Sequence, residues 1–131
     1  MELPNQLDKI EAYTQEHYLD IVQWFQDRKM IAPSRYDLPL VGYVMPGVGA
    51  GFLISTDTKT AIIDYMITNK HAAPILRGRA LDRIPKALIN RAKKLGFSSV
   101  LCDSQLDTIK RKAISLGFKD MGAFQVFSKE I

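Results

Sequence analysis

The chain has 131 residues, 18 Lys and Arg against 14 Asp and Glu, a net charge of +4 and a hydrophobic share of 47%. That length fits one domain, 1–131, in which roughly two-thirds of the unfolded surface can be buried. The composition excludes a disordered chain, and no apolar run is long enough to span a bilayer.

The basic excess suits an anionic partner (nucleic acid, a phosphorylated cofactor or an acidic protein surface) without choosing among them. The single cysteine, Cys102, cannot form an internal disulfide, which suits a reducing cytoplasm. The opening residues lack the basic flank and apolar run of a signal peptide.

In chain order, Leu7 to Tyr13 reads as a weak strand. Thr14 is placed to cap a helix running to about Met30, with Tyr18, Ile21, Val22 and Phe25 on its buried stripe. A loop with Pro33 and Pro39 follows. Leu40 to Met45 and Ala50 to Ser55 read as an antiparallel pair around a turn at Pro46 and Gly47. Thr60 to Thr68, "TAIIDYMIT", is dense in apolar side chains and reads as a central strand covered on both faces.

A helical pattern then runs through Ala80, Leu81, Ile84, Ala87, Leu88, Ala92 and Leu95. Val100 to Cys102 reads as a strand. Ser104 with Asp107 reads as the start of a short helix whose core stripe is Leu106, Ile109, Ala113 and Leu116. Phe118 to Phe127 reads as a final strand or hairpin. Gly96 and Gly117, in "KLGF" and "SLGF", read as left-handed caps ending the two helices. The fold class is therefore α/β (α+β): one mixed central β-sheet flanked by helices.

Arg77, Arg79 and Arg83 cluster around Gly78 at the front of the long helix. Cations are disfavoured at that end by roughly 0.3–1 kcal/mol each when exposed. A bound anion would reverse the penalty, since free helix N–H groups and forked guanidinium donors both suit phosphate. In this reading Arg77 to Ala80 form a loop before the helix, and Pro85 either sits near its first turn or marks a kink. The bland alternative is an exposed basic loop that binds nothing.

A strand ending in "YMITN", a basic glycine-containing turn, a helix ending in "AKKLGF", a strand and a short helix ending in "SLGF" together resemble a Gcn5-related N-acetyltransferase (GNAT). The resemblance is strongest from about Leu40 to Phe118. "AGFLISTDT", "ITN" and "RALD" resemble the short single-domain members of bacteriophages. It implies acetyl-coenzyme A as co-substrate, with pyrophosphate on the N–H groups of Gly78, Arg79 and Ala80 beside Arg77. It also implies that backbone near Ile67 and Thr68 receives the pantetheine arm. Thr108 or Gln105, at the start of the last helix, would touch that arm. The sequence departs from the family's loop, with Ile75 at a polar position in one register and Asp82 at a glycine in another. The tyrosine that the family often carries in its last helix falls at about Ala113.

Acetyl transfer to an amine requires a proton acceptor. Asp64, inside the apolar strand, is the expected base; its structural alternative is a buried ion-pair partner. Tyr65, of opposite parity, is expected in the core unless a bulge intervenes. His71 reads as a loop histidine or second-choice base, His17 as structural and Cys102 as a small core residue. The two histidines and one cysteine show no metal-site spacing. "GVGAG" at Gly47 to Gly51 precedes a strand rather than a helix, so it is no nucleotide loop.

The expected activity is acetyl-coenzyme-A-dependent N-acetylation of a small-molecule or peptide amine in the cytoplasm, without metal or membrane partner. The chain would act as a monomer or a homodimer. The rival is a non-catalytic module of the same fold contacting nucleic acid or an acidic protein through its basic loop.

Overall fold

Residues 9–103, 107–122 and 125–131 are described by a computed structural model, Asp107 and Thr108 by their backbone alone. β1 is short, Glu11–Ala12, extended by a bond from Tyr13 N–H to the Gly42 carbonyl. At Thr14 the chain turns, and the Thr14 N–H donates to His17 Nδ1 at 2.9 Å. A single 3-10 turn, Gln15–His17, leads into α1, Tyr18–Asp27. The helix stops before the expected Met30 because Lys29 takes φ +57°, and Met30 N–H folds back onto the Phe25 carbonyl. Its buried residues are Ile21, Trp24 and Phe25, while Tyr18 and Val22 are only partly covered.

β2 (Val41–Met45), β3 (Gly49–Ile54) and β4 (Thr60–Thr68) form an antiparallel meander. α2, Pro74–Lys94, then crosses to β5, Ser99–Cys102, which lies parallel to β4. α3 is Asp107–Ser115. Among the described residues the sheet has five strands in the order β1-β2-β3-β4-β5. Both "LGF" segments close their helices in the same way. Gly96 and Gly117 take φ +94° and +93°, and the N–H groups of Phe97 and Phe118 reach back to the carbonyls of Ala92 and Ala113.

The sheet separates two apolar layers. Under α2, Ile84 and Leu88 are fully buried with Leu53, Ala61 and Ile63. Under α1, Ile21, Trp24 and Phe25 pack with Phe52 and Ile67. Each fully buried aliphatic side chain contributes about 1.5–3 kcal/mol. Ile63 and Ile67, four residues apart, would share a face in a regular strand. They lie in opposite layers because β4 bulges: Phe52 pairs with Asp64 and Ala50 with Ile67, so Tyr65 and Met66 together oppose Gly51. Tyr65 takes the left-handed conformation, φ +54°.

Three expectations change. α2 begins at Pro74, six residues before Ala80, so the segment read as an arginine loop is its first two turns. Pro85 is buried inside that helix rather than in its first turn. It is tolerated because one face of α2 is anchored by its apolar stripe. From Phe118 onward no strand occurs among the described residues. Ser104, Gln105 and Leu106 lie outside them; of the remaining α3 stripe, Ile109 is buried while Ala113 and Leu116 are half-buried.

The bulge demands a residue without a side chain opposite it. A Cβ on Gly51 would overlap Met66 Sδ and come within 2.9 Å of Ile84 Cγ2. Gly51→Ala is therefore expected to destabilise the fold by about 1–3 kcal/mol, the usual cost of overpacking. Urea unfolding with an unchanged m-value checks it.

Candidate active site

β4 and β5 pair only over Thr60 to Ile63 and Ser99 to Cys102. Beyond that, Asp64 to Thr68 run on with no β5 partner among the described residues. The result is a fork between two parallel strands, with the bulge at its root and α2 and α3 at its sides.

Asp64 stands at the root of the fork. It is half-buried, and its Oδ1 accepts the Tyr65 N–H at 2.7 Å. That bond helps hold the left-handed turn of the bulge, a conformation costing about 1–3 kcal/mol for a residue such as tyrosine. Asp103, directly after β5, shares a side-chain hydrogen bond with Asp64. Burial chiefly raises the Asp64 pKa above its ordinary 3.8. The Tyr65 amide opposes that shift, and the neighbouring Asp103 carboxyl adds to it. Asp64 thus favours retaining its proton.

Tyr65 is half-buried against the α1 layer, its ring edge-on to Phe52 at 6.4 Å. Its hydroxyl pKa is raised by burial and then by Asp64, Asp37 and Asp103. The bulge therefore brings both Asp64 and Tyr65 to one neighbourhood, which strand parity alone forbids. Cys102 is pushed up to about 11, by burial first and then by Asp103 and Asp64. A thiol so disfavoured as thiolate is a poor nucleophile at neutral pH.

An apolar cavity opens beside the fork, lined by Ile63, Met66, Leu81, Pro85, Cys102 and Ala113 among others. Ala113, where the family resemblance expects a tyrosine, contributes only its methyl group to that lining. Among the described residues no group of three or more His, Cys, Asp or Glu is arranged to hold a metal ion.

The expected coenzyme residues fall into two sets. Asn69 N–H donates to the Val48 carbonyl at 2.7 Å. Antiparallel alternation then turns the Ile67 backbone toward β3 and that of Thr68 away from it. Both side chains are buried, Ile67 fully and Thr68 at 5% exposure; of the two, Thr68 turns its backbone toward the open edge, with its carbonyl and hydroxyl already accepting from Arg28.

Arg77 N–H donates to the Ala73 carbonyl at 3.0 Å, and Gly78, Arg79 and Ala80 follow within the same helix. Their amides belong to the helical ladder, which corrects the expectation of a loop with free N–H groups. Ala80 is wholly buried, packed toward Gly49. Gly78 is exposed, with nothing within 4 Å of where a Cβ would stand. Arg77 is half-buried, and its Nε is shielded with no hydrogen-bond partner among the described residues. Thr108 lies in the first turn of α3, and Gln105 falls outside the described residues.

His71 is exposed, 3.8 Å from Asp27 at the end of α1. His17 bonds Thr14 and Glu11, a structural role. Sequence reasoning missed Asp103 and also Arg28, whose guanidinium bonds the carbonyl and hydroxyl of Thr68. Asp103 carried no local signal, and Arg28 reads as an ordinary cation near a helix C-terminus.

No family model matches the chain, and no curated protein sequence matches it. Solved structures do. A GNAT-family acetyltransferase from Staphylococcus aureus superposes with a TM-score of 0.67 at 14% identity, covering 87% of this chain and 85% of that one. A transcriptional regulator from Bacillus halodurans gives 0.67 at 18% identity, covering 92% and 99%. Glucosamine-6-phosphate N-acetyltransferase from Arabidopsis thaliana gives 0.53 at 11% identity, covering 92% and 98%. At these identities the likeness is one of fold.

The state of Asp64 fixes a stability signature. A carboxyl whose folded pKa is raised binds more protons folded than unfolded between the two values. Stability is then lost as pH rises from 3.8 through the raised value. Asp64→Asn keeps an oxygen for the Tyr65 amide and escapes that loss. The variant is expected to melt higher than the parent at pH 7, with the difference shrinking as pH falls below 3.8. Calorimetry across that range checks the sign; a buried ion pair would give the reverse.

Proposed function

We propose that this chain, whose fold is that of the GNAT acetyltransferases, is an acetyl-coenzyme-A-dependent N-acetyltransferase acting on an amine. The observation that carries this reading is the fork itself. Its β4 edge, unpaired among the described residues beyond Ile63, has the raised-pKa carboxyl of Asp64 beside Asp103 at the root and arginines at the mouth.

The residues present fit the coenzyme. Arg77 has a shielded donor without a partner among the described residues, the Thr68 backbone turns to the open edge, and an apolar cavity adjoins Asp64's strand. Arg77 and Thr68 would hold it, and Gly78 leaves open space on the helix surface where a ligand chain could lie. The coenzyme supplies an acyl group activated as a thioester. Asp64, in its ionised form, would take the proton that the acceptor amine sheds as its nitrogen bonds the acyl carbon, while the carbon–sulfur bond of the thioester breaks and the thiolate departs with the coenzyme, to be protonated from solvent. Burial, and after it Asp103, raises the Asp64 proton affinity for that transfer, since a base is most useful near the working pH. Tyr65 fixes the carboxylate's orientation through its amide. No covalent enzyme intermediate is needed, and Cys102 takes no part.

A second reading, a non-catalytic module of the same fold, draws on Ala113 at the place of the family's tyrosine and on the fold neighbour described as a transcriptional regulator. Localisation in a cytoplasm, within the short phage-type group, belongs to the first reading. Among the described residues no helix is long and apolar enough to cross a membrane.

Coenzyme A is expected to raise the melting temperature. Saturation at about a hundred times its dissociation constant adds roughly 2.7 kcal/mol. Asp64→Asn is expected to retain that shift and lose about 10²–10⁴ in turnover against a panel of polyamines, aminoglycosides, amino acids and peptide N-termini. A melting temperature indifferent to millimolar coenzyme A overturns the assignment, and binding without turnover on any amine favours the non-catalytic module.

Gly78→Ala is expected to stabilise the ligand-free chain by about 0.5–1 kcal/mol, since a helical glycine costs that much and no neighbour opposes a methyl group. It should also weaken coenzyme A binding. The two effects are separated by denaturation with and without ligand.

A further inference from the structure

The apolar cavity beside the fork draws its walls from four elements. Ile63 and Met66 of β4 and Cys102 of β5 form its floor, Leu81 and Pro85 of α2 one side, and Ala113 of α3 the other. The described residues present no polar surface to it. Even Lys112 contributes only its apolar stem, with its ammonium 3.7 Å from Asp82 of α2. That ion pair ties the two helices together beside the gap.

The free volume is about 20 Å³, against the roughly 10–15 Å³ that one water-sized group needs. A cavity walled by apolar side chains stays dry and is completed by an apolar guest. Ala113 sets its size. The residue is half-buried with a single methyl group, and any larger side chain there would fill the space with protein.

The cavity lies one residue from both carboxyls of the fork. Ile63 precedes Asp64, Cys102 precedes Asp103, and Ile63 and Cys102 are partners across the two strands. The Cys102 thiol is pushed up to about 11 by burial first and then by Asp103 and Asp64, so this wall stands within the field of those carboxyls. Strand alternation sends Ile63 and Asp64 to opposite faces of β4. A carbonyl carbon attacked at the root of the fork can therefore leave its tail in the cavity, away from the carboxylate.

We propose that this cavity is an acyl-chain site and that the group transferred is larger than acetyl, a short chain of roughly three or four carbons. An acetyl methyl leaves most of the space empty, whereas propionyl and butyryl extend into it. Ala113 is the residue that sets the length. The amine nitrogen bonds the acyl carbon, the carbon–sulfur bond breaks, and the amine proton passes to Asp64, as for an acetyl group. The inference rests on the function proposed above and goes beyond it in naming the acyl group.

The test is calorimetric titration of the folded chain with coenzyme A and its acetyl, propionyl, butyryl and hexanoyl thioesters, in the absence of any amine. Affinity is expected to rise from acetyl to butyryl by up to about fourfold per added methylene, the gain from burying each one. Hexanoyl, too long for the space, is expected to bind less tightly than butyryl. Ala113→Leu, which fills the cavity, is expected to bring butyryl down to the acetyl affinity. Leu81→Ala, which enlarges it, is expected to move the tightest binding to hexanoyl.

Equal affinity for the acetyl, propionyl and butyryl thioesters in the parent overturns this proposal and leaves the coenzyme reading standing. A butyryl preference that survives Ala113→Leu overturns it as well, since the selecting surface then lies elsewhere. If circular dichroism shows that Ala113→Leu fails to fold, Leu81→Ala carries the test, and an optimum still at butyryl overturns the proposal. Parent indifference to coenzyme A and to every thioester removes the functional reading with it.

Discussion

The Asp64 carboxylate accepting the Tyr65 amide within the β4 bulge is the bond on which most of the architecture turns. One extra residue in the strand reverses which side chains face which helix. Upstream, Ala61 and Ile63 serve the α2 layer; downstream, Ile67 serves the α1 layer. Two cores of different composition are thereby built on a single strand. The price is a left-handed tyrosine and a glycine opposite it, and the strain sits where β4 parts from β5. A straight β4 would present Asp64 and Tyr65 to opposite faces.

The open stretch of β4 is also electrically polarised. At its root Asp64 is half-buried beside the Asp103 carboxyl, and burial first and then that neighbour make its ionisation less favourable. At its far end burial and then the Arg77 charge make the charged form of Arg28 less favourable. Neither pair is an arrangement that stability alone selects, because like charges near one another oppose folding. The separation along one strand suits a ligand that is anionic at one end and exchanges a proton at the other. The net charge of +4 conceals this pattern entirely.

Much of the frame was legible because local physics dictates it. Thr60 to Thr68 was bounded correctly by its unbroken apolar and β-branched run, and the two "LGF" caps by glycine's access to positive φ. The start of α2 was misread because Gly78 and three arginines look like a loop. The proline that opens the helix, Pro74, was available as a first-turn signal and carries the correct boundary. The bulge was conceivable from parity but its position was not, since it depends on Gly51 across the sheet. Asp103 and Arg28 were invisible for a related reason. What makes each unusual is a neighbour 39 or 40 residues away in sequence, Asp64 for one and Thr68 for the other.

Cys102 closes the β5 side of the fork, with its thiol pKa near 11 rather than the ordinary 9.0. At pH 7 only about one such thiol in ten thousand is ionised. Half-buried where β5 pairs with Ile63 of β4, it reacts with an alkylating reagent faster whenever β5 moves away from β4 and exposes it further. In that regime the labelling rate counts how often the strands part, much as slow amide exchange counts local opening. The chain's lone cysteine thus acts as a built-in gauge of how tightly the fork is closed, readable by mass without any added probe.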